Sequence, residues 1–151
     1  MTLTPDFREF IALLNAHEVH YLVVGGYAVG LHGHPRYTKA IDIWIERTPS
    51  NAEHLMHALA EFGFEDVGLT KDDFLTPDQV VQLGRPPNRI DLITSLSGVS
   101  FAACYENRAV ETIEDTDVHY IGLADLKKNK RALGRHQDLA DIEHLGCETE
   151  S

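Results

Sequence analysis

Two carboxylates that interrupt apolar strands are the residues of this chain best suited to chemistry. Asp42 lies in the run Ile-Asp-Ile-Trp-Ile, and Asp91 lies in the run Arg-Ile-Asp-Leu-Ile. An ionised carboxylate is costly to bury in apolar surroundings, so each of these residues requires a cation or another partner. Carboxylate oxygens are hard ligands that suit Mg²⁺ or Mn²⁺ better than zinc. The pattern therefore predicts a divalent-cation site formed by two strands.

A pair of glycines precedes the first of these strands. Gly25 and Gly26 follow the apolar run Tyr21–Val24, a pattern that predicts a buried strand turning directly into a helix. The first backbone N–H groups of a helix have no partner within the helix, and they can bind a phosphate. The glycines therefore predict a phosphate-binding turn, although taken alone they fit a tight turn without a ligand equally well.

Position 40 departs from the arrangement that these residues suggest. Side chains alternate across a strand, so residues 40 and 42 point to the same face. Two carboxylates at this spacing, with a third from a neighbouring strand, can hold two cations against a nucleoside triphosphate. Asp42 and Asp91 are present here, but the remaining position is Ala40, whose methyl group coordinates nothing. The sequence therefore predicts such a site with one metal ligand missing.

The surrounding elements are those of an α/β fold. A first helix begins at Pro5, behind the capping hydroxyl of Thr4, and its apolar residues recur at helical spacing. Further helices are predicted at residues 26–32, 50–62, 123–133 and 137–145. Strands are predicted at residues 20–24, 39–46, 64–67, 79–83, 89–94, 105–113 and 118–121, and a loop at 70–78. We expect one domain over residues 1–151, with a mixed sheet, helices packed on one face, and the face that carries Asp42 left open.

Composition limits the classes of partner. The chain has 151 residues and a formal net charge of −11, which argues against a surface built to bind the phosphate backbone of nucleic acids. Two cysteines, Cys104 and Cys147, show no metal-binding spacing and suit a reducing compartment. Neither a signal peptide nor an apolar run of the ~20 residues that a membrane helix needs is present. We therefore expect a cytoplasmic protein without a membrane partner.

The glycine pair and the following strand form a recognisable motif. Thirteen residues separate Gly26 from position 40, and the strand is preceded by Arg36-Tyr-Thr38-Lys. The chain resembles the nucleotidyltransferase superfamily that includes DNA polymerase β. Within it, the chain is similar to small bacterial minimal nucleotidyltransferases grouped with abortive-infection and toxin–antitoxin systems.

The C-terminal part carries a second match to the same family. It is similar to the closing helix pair of the family in the pattern Leu126-x-x-x-Lys130 followed by Gly134-Arg135-x-x-Asp138-Leu139-x-Asp141-Ile142. In relatives the matching lysine reaches toward the triphosphate, which assigns that role to Lys130. The resemblance spans residues 18 to 145.

The resemblance implies roles for individual residues. A nucleoside triphosphate would be bound by Gly25, Gly26, Arg36, Thr38 and Lys130. Mg²⁺ or Mn²⁺ would be bound by the catalytic carboxylates Asp42 and Asp91, and Ala40 marks the position of the missing catalytic Asp. The implied reaction transfers a nucleoside monophosphate to a hydroxyl acceptor, an RNA end or a protein. The implied partner is a toxin–antitoxin partner or a second copy of the chain.

Several alternatives stay open on the sequence alone. Ala40 fits either a deliberate substitution that silences the enzyme or a natural pseudoenzyme that binds an NTP or a partner without catalysis. A third possibility is a small-molecule nucleotidyltransferase of the antibiotic-modifying type. Asp91 could instead form an ion pair with Arg89 or Arg36. Lys130 lies in the run Lys-Lys-Asn-Lys-Arg, which is more typical of a solvated helix face.

Overall fold

The computed structural model describes residues 3–33, 40–64, 68–86 and 88–145. Its helices are α1 (Pro5–Ala16), α2 (Gly25–Leu31), α3 (Pro49–Phe62), α4 (Phe101–Glu106), α5 (Leu123–Leu133) and α6 (His136–Leu145). Its strands are β1 (Tyr21–Val24), β2 (Ala40–Ile45), β3 (Val80–Leu83), β4 (Arg89–Ile93), β5 (Ala109–Ile113) and β6 (Thr116–Tyr120). A 3₁₀ turn spans Lys71–Phe74.

The strands form one mixed sheet in the order β3-β4-β2-β1-β6-β5. The central strand β1 runs antiparallel to β2 and parallel to β6, and β2 runs parallel to β4. The pairs β3/β4 and β5/β6 are antiparallel, and each places one strand at an edge of the sheet. This mixed six-stranded sheet with its helices confirms the predicted α/β class. The expectation of helices on one face alone is wrong, because α1 and α3 pack on one face and α2, α4 and α5 on the face that carries Asp42.

The larger apolar core lies between the sheet and helices α1 and α3. The predicted stripe of α1 is confirmed, because Phe7, Phe10, Ile11 and Leu14 are all buried. Thr4 caps this helix, since its hydroxyl accepts a hydrogen bond from the backbone N–H of Phe7 at 3.2 Å. The inward side chains of the sheet belong to alternate residues, which include Tyr21, Val23, Ile41, Ile43, Ile90 and Leu92.

A second, smaller apolar cluster lies on the opposite face of the sheet. Leu22, Val24 and Trp44 point to this face, because they alternate with the residues of the larger core. Helices α2, α4 and α5 contribute Ala28, Val29, Cys104 and Leu126 to the cluster. The carboxylates of β2 and β4 project from this same face, so α2 and α5 flank them.

The structure corrects two predicted elements. The strand predicted at 105–113 is wrong in its first part, since α4 occupies Phe101–Glu106 and the strand begins at Ala109. A stacked contact between the rings of Phe101 and Tyr105, one helical turn apart, and the burial of Cys104 favour the helix. The loop predicted at 70–78 contains the 3₁₀ turn, which buries Phe74.

Other predicted boundaries differ by a few residues or fall outside the described chain. Helix α3 begins after Thr48, whose hydroxyl accepts from the backbone N–H of Asn51, and not after Ser50. The strand predicted at 64–67 lies outside the described residues except for Phe64. No helix among the described residues combines the length and apolar character needed to cross a membrane.

Candidate functional site

The two predicted carboxylates lie side by side on neighbouring parallel strands. The register pairs Asp42 of β2 with Asp91 of β4, so both side chains project from the same face. On the outer sides of this pair, Asp42 is in register with Val24 of β1, and Asp91 is in register with Gln82 of the edge strand β3. The two carboxylates are close enough for the charge of Asp91 to raise the pKa of Asp42. The sheet therefore concentrates two acids at one point.

Asp42 is the more strongly perturbed of the two acids. The pKa of Asp42 is raised to about 6, chiefly by burial and then by the negative charge of Asp91, while the cations of Arg89 and Lys130 oppose this shift. Because those four side chains influence one another, they belong to a single electrostatic site.

Arg89 provides the direct counter-charge to Asp91. Its Nε lies 2.9 Å from Oδ1 of Asp91, and its Nη2 lies 3.1 Å from Oδ2, so both carboxylate oxygens accept from the guanidinium. Ala40 is the register partner of Arg89 on the neighbouring strand. The ion pair between Asp91 and Arg89, which the sequence allowed as an alternative, is therefore present. It lies beside position 40, where the carboxylate is missing.

Gly25 lies directly beneath the carboxylate of Asp42. It opens α2 with a φ of +67°, a left-handed conformation that favours glycine. A Cβ atom built on Gly25 would collide with Oδ2 of Asp42. The structure thus gives this glycine a second role that the sequence does not show, since it lets the chain approach the carboxylate closely. Gly26 follows in the first turn of α2.

Lys130 lies in a buried ion cluster between α5 and α6. Its Nζ lies 3.2 Å from Oδ1 of Asp138 and 3.2 Å from Oδ2 of Asp141, and its side chain is only 4% exposed. Arg135 also donates to Asp138, from Nε at 2.5 Å and from Nη2 at 3.3 Å. The interpretation of Lys130 as part of a solvated helix face is therefore wrong.

The charges of this cluster shift the titration of Asp138. Burial alone would raise the pKa of Asp138, but hydrogen bonds from Arg135 and Lys130 lower it below its ordinary value. Asp138 and Asp141 thus hold α6 against α5 as ionised partners of the buried ammonium. Lys130 is nevertheless close enough to the site for its charge to lower the pKa of Asp42. The other two predicted nucleotide-binding residues, Arg36 and Thr38, lie outside the described residues.

The donor set fits one cation better than two. Among the described residues, no group of three or more His, Cys, Asp or Glu side chains is placed to hold a metal ion. Asp42 and Asp91 supply two adjacent carboxylates of the type that Mg²⁺ and Mn²⁺ prefer. The third carboxylate that a two-cation site requires would have to come from position 40, which is alanine.

The contact between Gly25 and Asp42 predicts a large loss of stability on substitution. Gly25→Ala should lower the free energy of unfolding by about 3 kcal/mol, because alanine must adopt a left-handed φ and displace a packed carboxylate. Gly134→Ala is the matched control, since Gly134 has the same φ of +67° and its Cβ would meet only an ordinary contact at 3.8 Å. We expect that control to lose only about 1 kcal/mol.

A double-mutant cycle by urea denaturation separates the two contributions. In the Asp42→Ala background the carboxylate is absent and only the Cβ contact at 3.3 Å remains, so the cost of Gly25→Ala should fall toward that of Gly134→Ala. Equal costs of Gly25→Ala with and without Asp42 would contradict the close contact.

The raised pKa of Asp42 predicts how stability depends on pH. Between its ordinary value of 3.8 and about 6, the folded chain binds more protons at this group than the unfolded chain. The free energy of unfolding should therefore fall as pH rises through this window, by on the order of 2 kcal/mol from Asp42. Asp42→Asn lacks this contribution and should be more stable than the parent at pH 7, but not at pH 4. Urea titrations in EDTA at several pH values measure the difference, and parallel curves would contradict it.

Comparisons with known proteins show the fold. No protein-family model and no curated protein matches this chain. The structure of a candidate nucleotidyltransferase from Thermotoga maritima is similar over 94% of this chain and 91% of its own, with a TM-score of 0.62 and 14% identity. An antigenic nucleotidyltransferase-like protein from Paracoccidioides brasiliensis is similar over 96% of this chain and 76% of its own, with a TM-score of 0.54 and 18% identity.

Proposed function

We propose that this chain is a nucleotidyltransferase domain whose activity is weakened by Ala40. The observation that carries the proposal is the register of Asp42 and Asp91 on adjacent parallel strands, above the strand-to-helix turn at Gly25. This arrangement occurs in a fold shared with two structures described as nucleotidyltransferase-like or candidate nucleotidyltransferases. Two side-by-side carboxylates supply oxygen ligands of the type that Mg²⁺ and Mn²⁺ prefer.

The proposed reaction transfers a nucleoside monophosphate from an NTP to a hydroxyl acceptor. The acceptor hydroxyl oxygen attacks the α-phosphorus and gives up its proton to solvent water, the bond from that phosphorus to the β-phosphate oxygen breaks, and pyrophosphate leaves. A bound divalent cation supplies stabilisation of the charge that develops on the phosphate oxygens. Asp42 and Asp91 hold the cation, and Asp91 also orients the acceptor hydroxyl.

The triphosphate is held by other groups. Backbone N–H groups at Gly25 and Gly26 bind phosphate oxygens, together with Arg36 and Thr38. Lys130 contributes its positive charge from the buried cluster. Asp138 and Asp141 offset part of that charge, so we assign Lys130 to neutralisation of the triphosphate at a distance.

The acceptor and setting follow from size and charge. A net charge of −11 does not favour a long nucleic acid, so we propose an RNA end or a protein as the acceptor. We also propose that the chain acts in the cytoplasm, in a toxin–antitoxin or defence pair, with a partner protein or a second copy completing the acceptor site.

The direct test compares this chain with Ala40→Asp. Each of the four NTPs, labelled at the α-phosphate, is incubated with Mg²⁺ or Mn²⁺ and with total RNA or cell-lysate protein as the acceptor. Label transferred only by Ala40→Asp would support the proposal and would identify the nucleotide and the class of acceptor. Absence of transfer by both chains to both acceptor pools would reject it.

One observation favours a second candidate function, a pseudoenzyme that binds an NTP or a partner without catalysis. Arg89 occupies both oxygens of Asp91, beside a position that carries no carboxylate. A natural loss of catalysis fits this arrangement. Under that candidate function, Ala40→Asp transfers no label, although the chain still binds NTP in a calorimetric titration.

A further inference from the structure

The guanidinium of Arg89 is placed where it limits access of a cation to Asp91. Its two N–H···O contacts, at 2.9 and 3.1 Å, take one acceptor position on each carboxylate oxygen. The carboxylate of Asp91 is about 10% exposed, and Arg89 is about 31% exposed, so solvent screens the pair only in part. An incoming divalent cation would meet a fixed positive charge on the same carboxylate.

Arg89 binds the carboxylate of Asp91 at two points at once. A two-point contact between a guanidinium and a carboxylate is among the stronger hydrogen-bonded pairs in proteins. Ala40, its register partner, offers no second carboxylate that could draw the guanidinium away from Asp91. In this chain, therefore, the guanidinium of Arg89 is the positive charge that neutralises Asp91.

We propose that Arg89 competes with divalent cations for Asp91 and thereby sets the cation affinity of the site. The inference rests on the carboxylate pair of the proposed function, but it concerns binding and not transfer. Arg89 acts as a positioning residue for Asp91, since it holds the carboxylate in place while the cation is absent. Removal of the guanidinium frees both oxygens, so the site binds a cation more tightly although one positive charge has been lost.

The test is a Mn²⁺ titration of the full chain followed by the electron paramagnetic resonance signal of free Mn²⁺, without nucleotide or acceptor. Arg89→Gln should bind Mn²⁺ about tenfold more tightly than the parent, which corresponds to one charge-assisted hydrogen bond. Arg85→Gln is the matched control, because Arg85 is exposed in the turn between β3 and β4 and the substitution changes the net charge equally. We expect its Mn²⁺ affinity to match that of the parent.

A second pair of variants locates the effect and guards against a loss of structure. Arg89→Gln combined with Asp91→Asn should lose the gain, because the added affinity acts through Asp91. Arg89→Lys keeps the charge but cannot bind both oxygens in the same way, so its affinity should fall between those of the parent and Arg89→Gln. If Arg89→Gln does not fold, as judged by circular dichroism, Arg89→Lys alone decides the outcome by the direction of its change.

The proposal is overturned if Arg89→Gln binds Mn²⁺ no more tightly than the parent, or if the gain persists without the carboxylate of Asp91. An equal gain in Arg85→Gln would also overturn it, because the effect would then reflect net charge alone. The outcome is separable from that of the transfer assay. Inactivity of Ala40→Asp together with a Mn²⁺ gain in Arg89→Gln would reject the transferase and support the role of Arg89. Transfer by Ala40→Asp without a Mn²⁺ gain in Arg89→Gln would support the transferase and reject the role of Arg89.

Discussion

Ala40→Asp is expected to raise the rate of nucleoside monophosphate transfer by at least about 100-fold in the presence of Mg²⁺ or Mn²⁺. Residues 40 and 42 lie two apart on β2, so the new carboxylate would project from the same face as Asp42. Three carboxylates would then line the site in place of two. A well-held cation contributes several kcal/mol to the transition state, and each 1.36 kcal/mol is a factor of ten in rate.

The same substitution should make stability depend on the cation. A third carboxylate adds like-charge repulsion to Asp42, whose pKa is already raised by burial and by Asp91. In EDTA, Ala40→Asp should therefore unfold at a lower temperature than the parent, and Mg²⁺ should restore part of the difference.

Ala40→Asn is the matched control for both effects, because it has nearly the same shape without the charge. It should transfer label, and respond to Mg²⁺, no more than the parent does. Equal activity of the Asn and Asp variants would show that the charge at position 40 is not the missing element.

Lys130→Met should destabilise the chain by about 3–5 kcal/mol, since it leaves two buried carboxylates without their shared cation. Asp138 and Asp141 are almost fully buried, and Lys130 bridges them from the neighbouring helix. Arg135 can still donate to Asp138 and Gln137 to Asp141, so each carboxylate keeps a hydrogen-bond donor but loses the buried ammonium. This loss is a large fraction of the total stability of a small domain.

Lys128→Met provides the comparison within the same helix, because Lys128 is exposed and the chemical change is identical. Its unfolding free energy should stay within about 0.5 kcal/mol of that of the parent. Urea denaturation measures both variants, and hydrogen exchange should show α6 as the first element to lose protection in Lys130→Met. Similar stabilities of the two variants would mean that the ammonium of Lys130 contributes no more than a surface charge.

Local patterns predicted the elements that depend on neighbours in sequence. Helix α1 follows from its capping threonine, its proline and its apolar stripe, all of which lie within one short segment. Helix α4 was missed because its aromatic residues favour a strand by propensity, and only their packing in the folded chain favours a helix. The approach of Gly25 to Asp42 is likewise a tertiary contact that no local pattern contains.

The candidate site was predictable in composition but not in its contacts. Asp42 and Asp91 could be singled out because each interrupts an apolar strand, but their exact pairing depends on a register between distant strands. Arg89 is one of the two ion-pair partners that the sequence allows for Asp91, and Arg36 is the other. The burial of Lys130 was not predicted, because a run of basic residues is usually solvated, and its acidic partners lie on the next helix.

The central position of β1 has a consequence for the synthesis of the chain. Val23 of this strand pairs with Tyr120 of β6, so one side of the strand is completed only by residues near the opposite end of the sequence. Such distant pairing slows folding, because a large loop must close before the contact forms. On the ribosome, β1 therefore keeps an open edge until β6 has emerged. Lys130 lies in α5, which follows β6 in the sequence, so the two carboxylates also lack its charge during that interval.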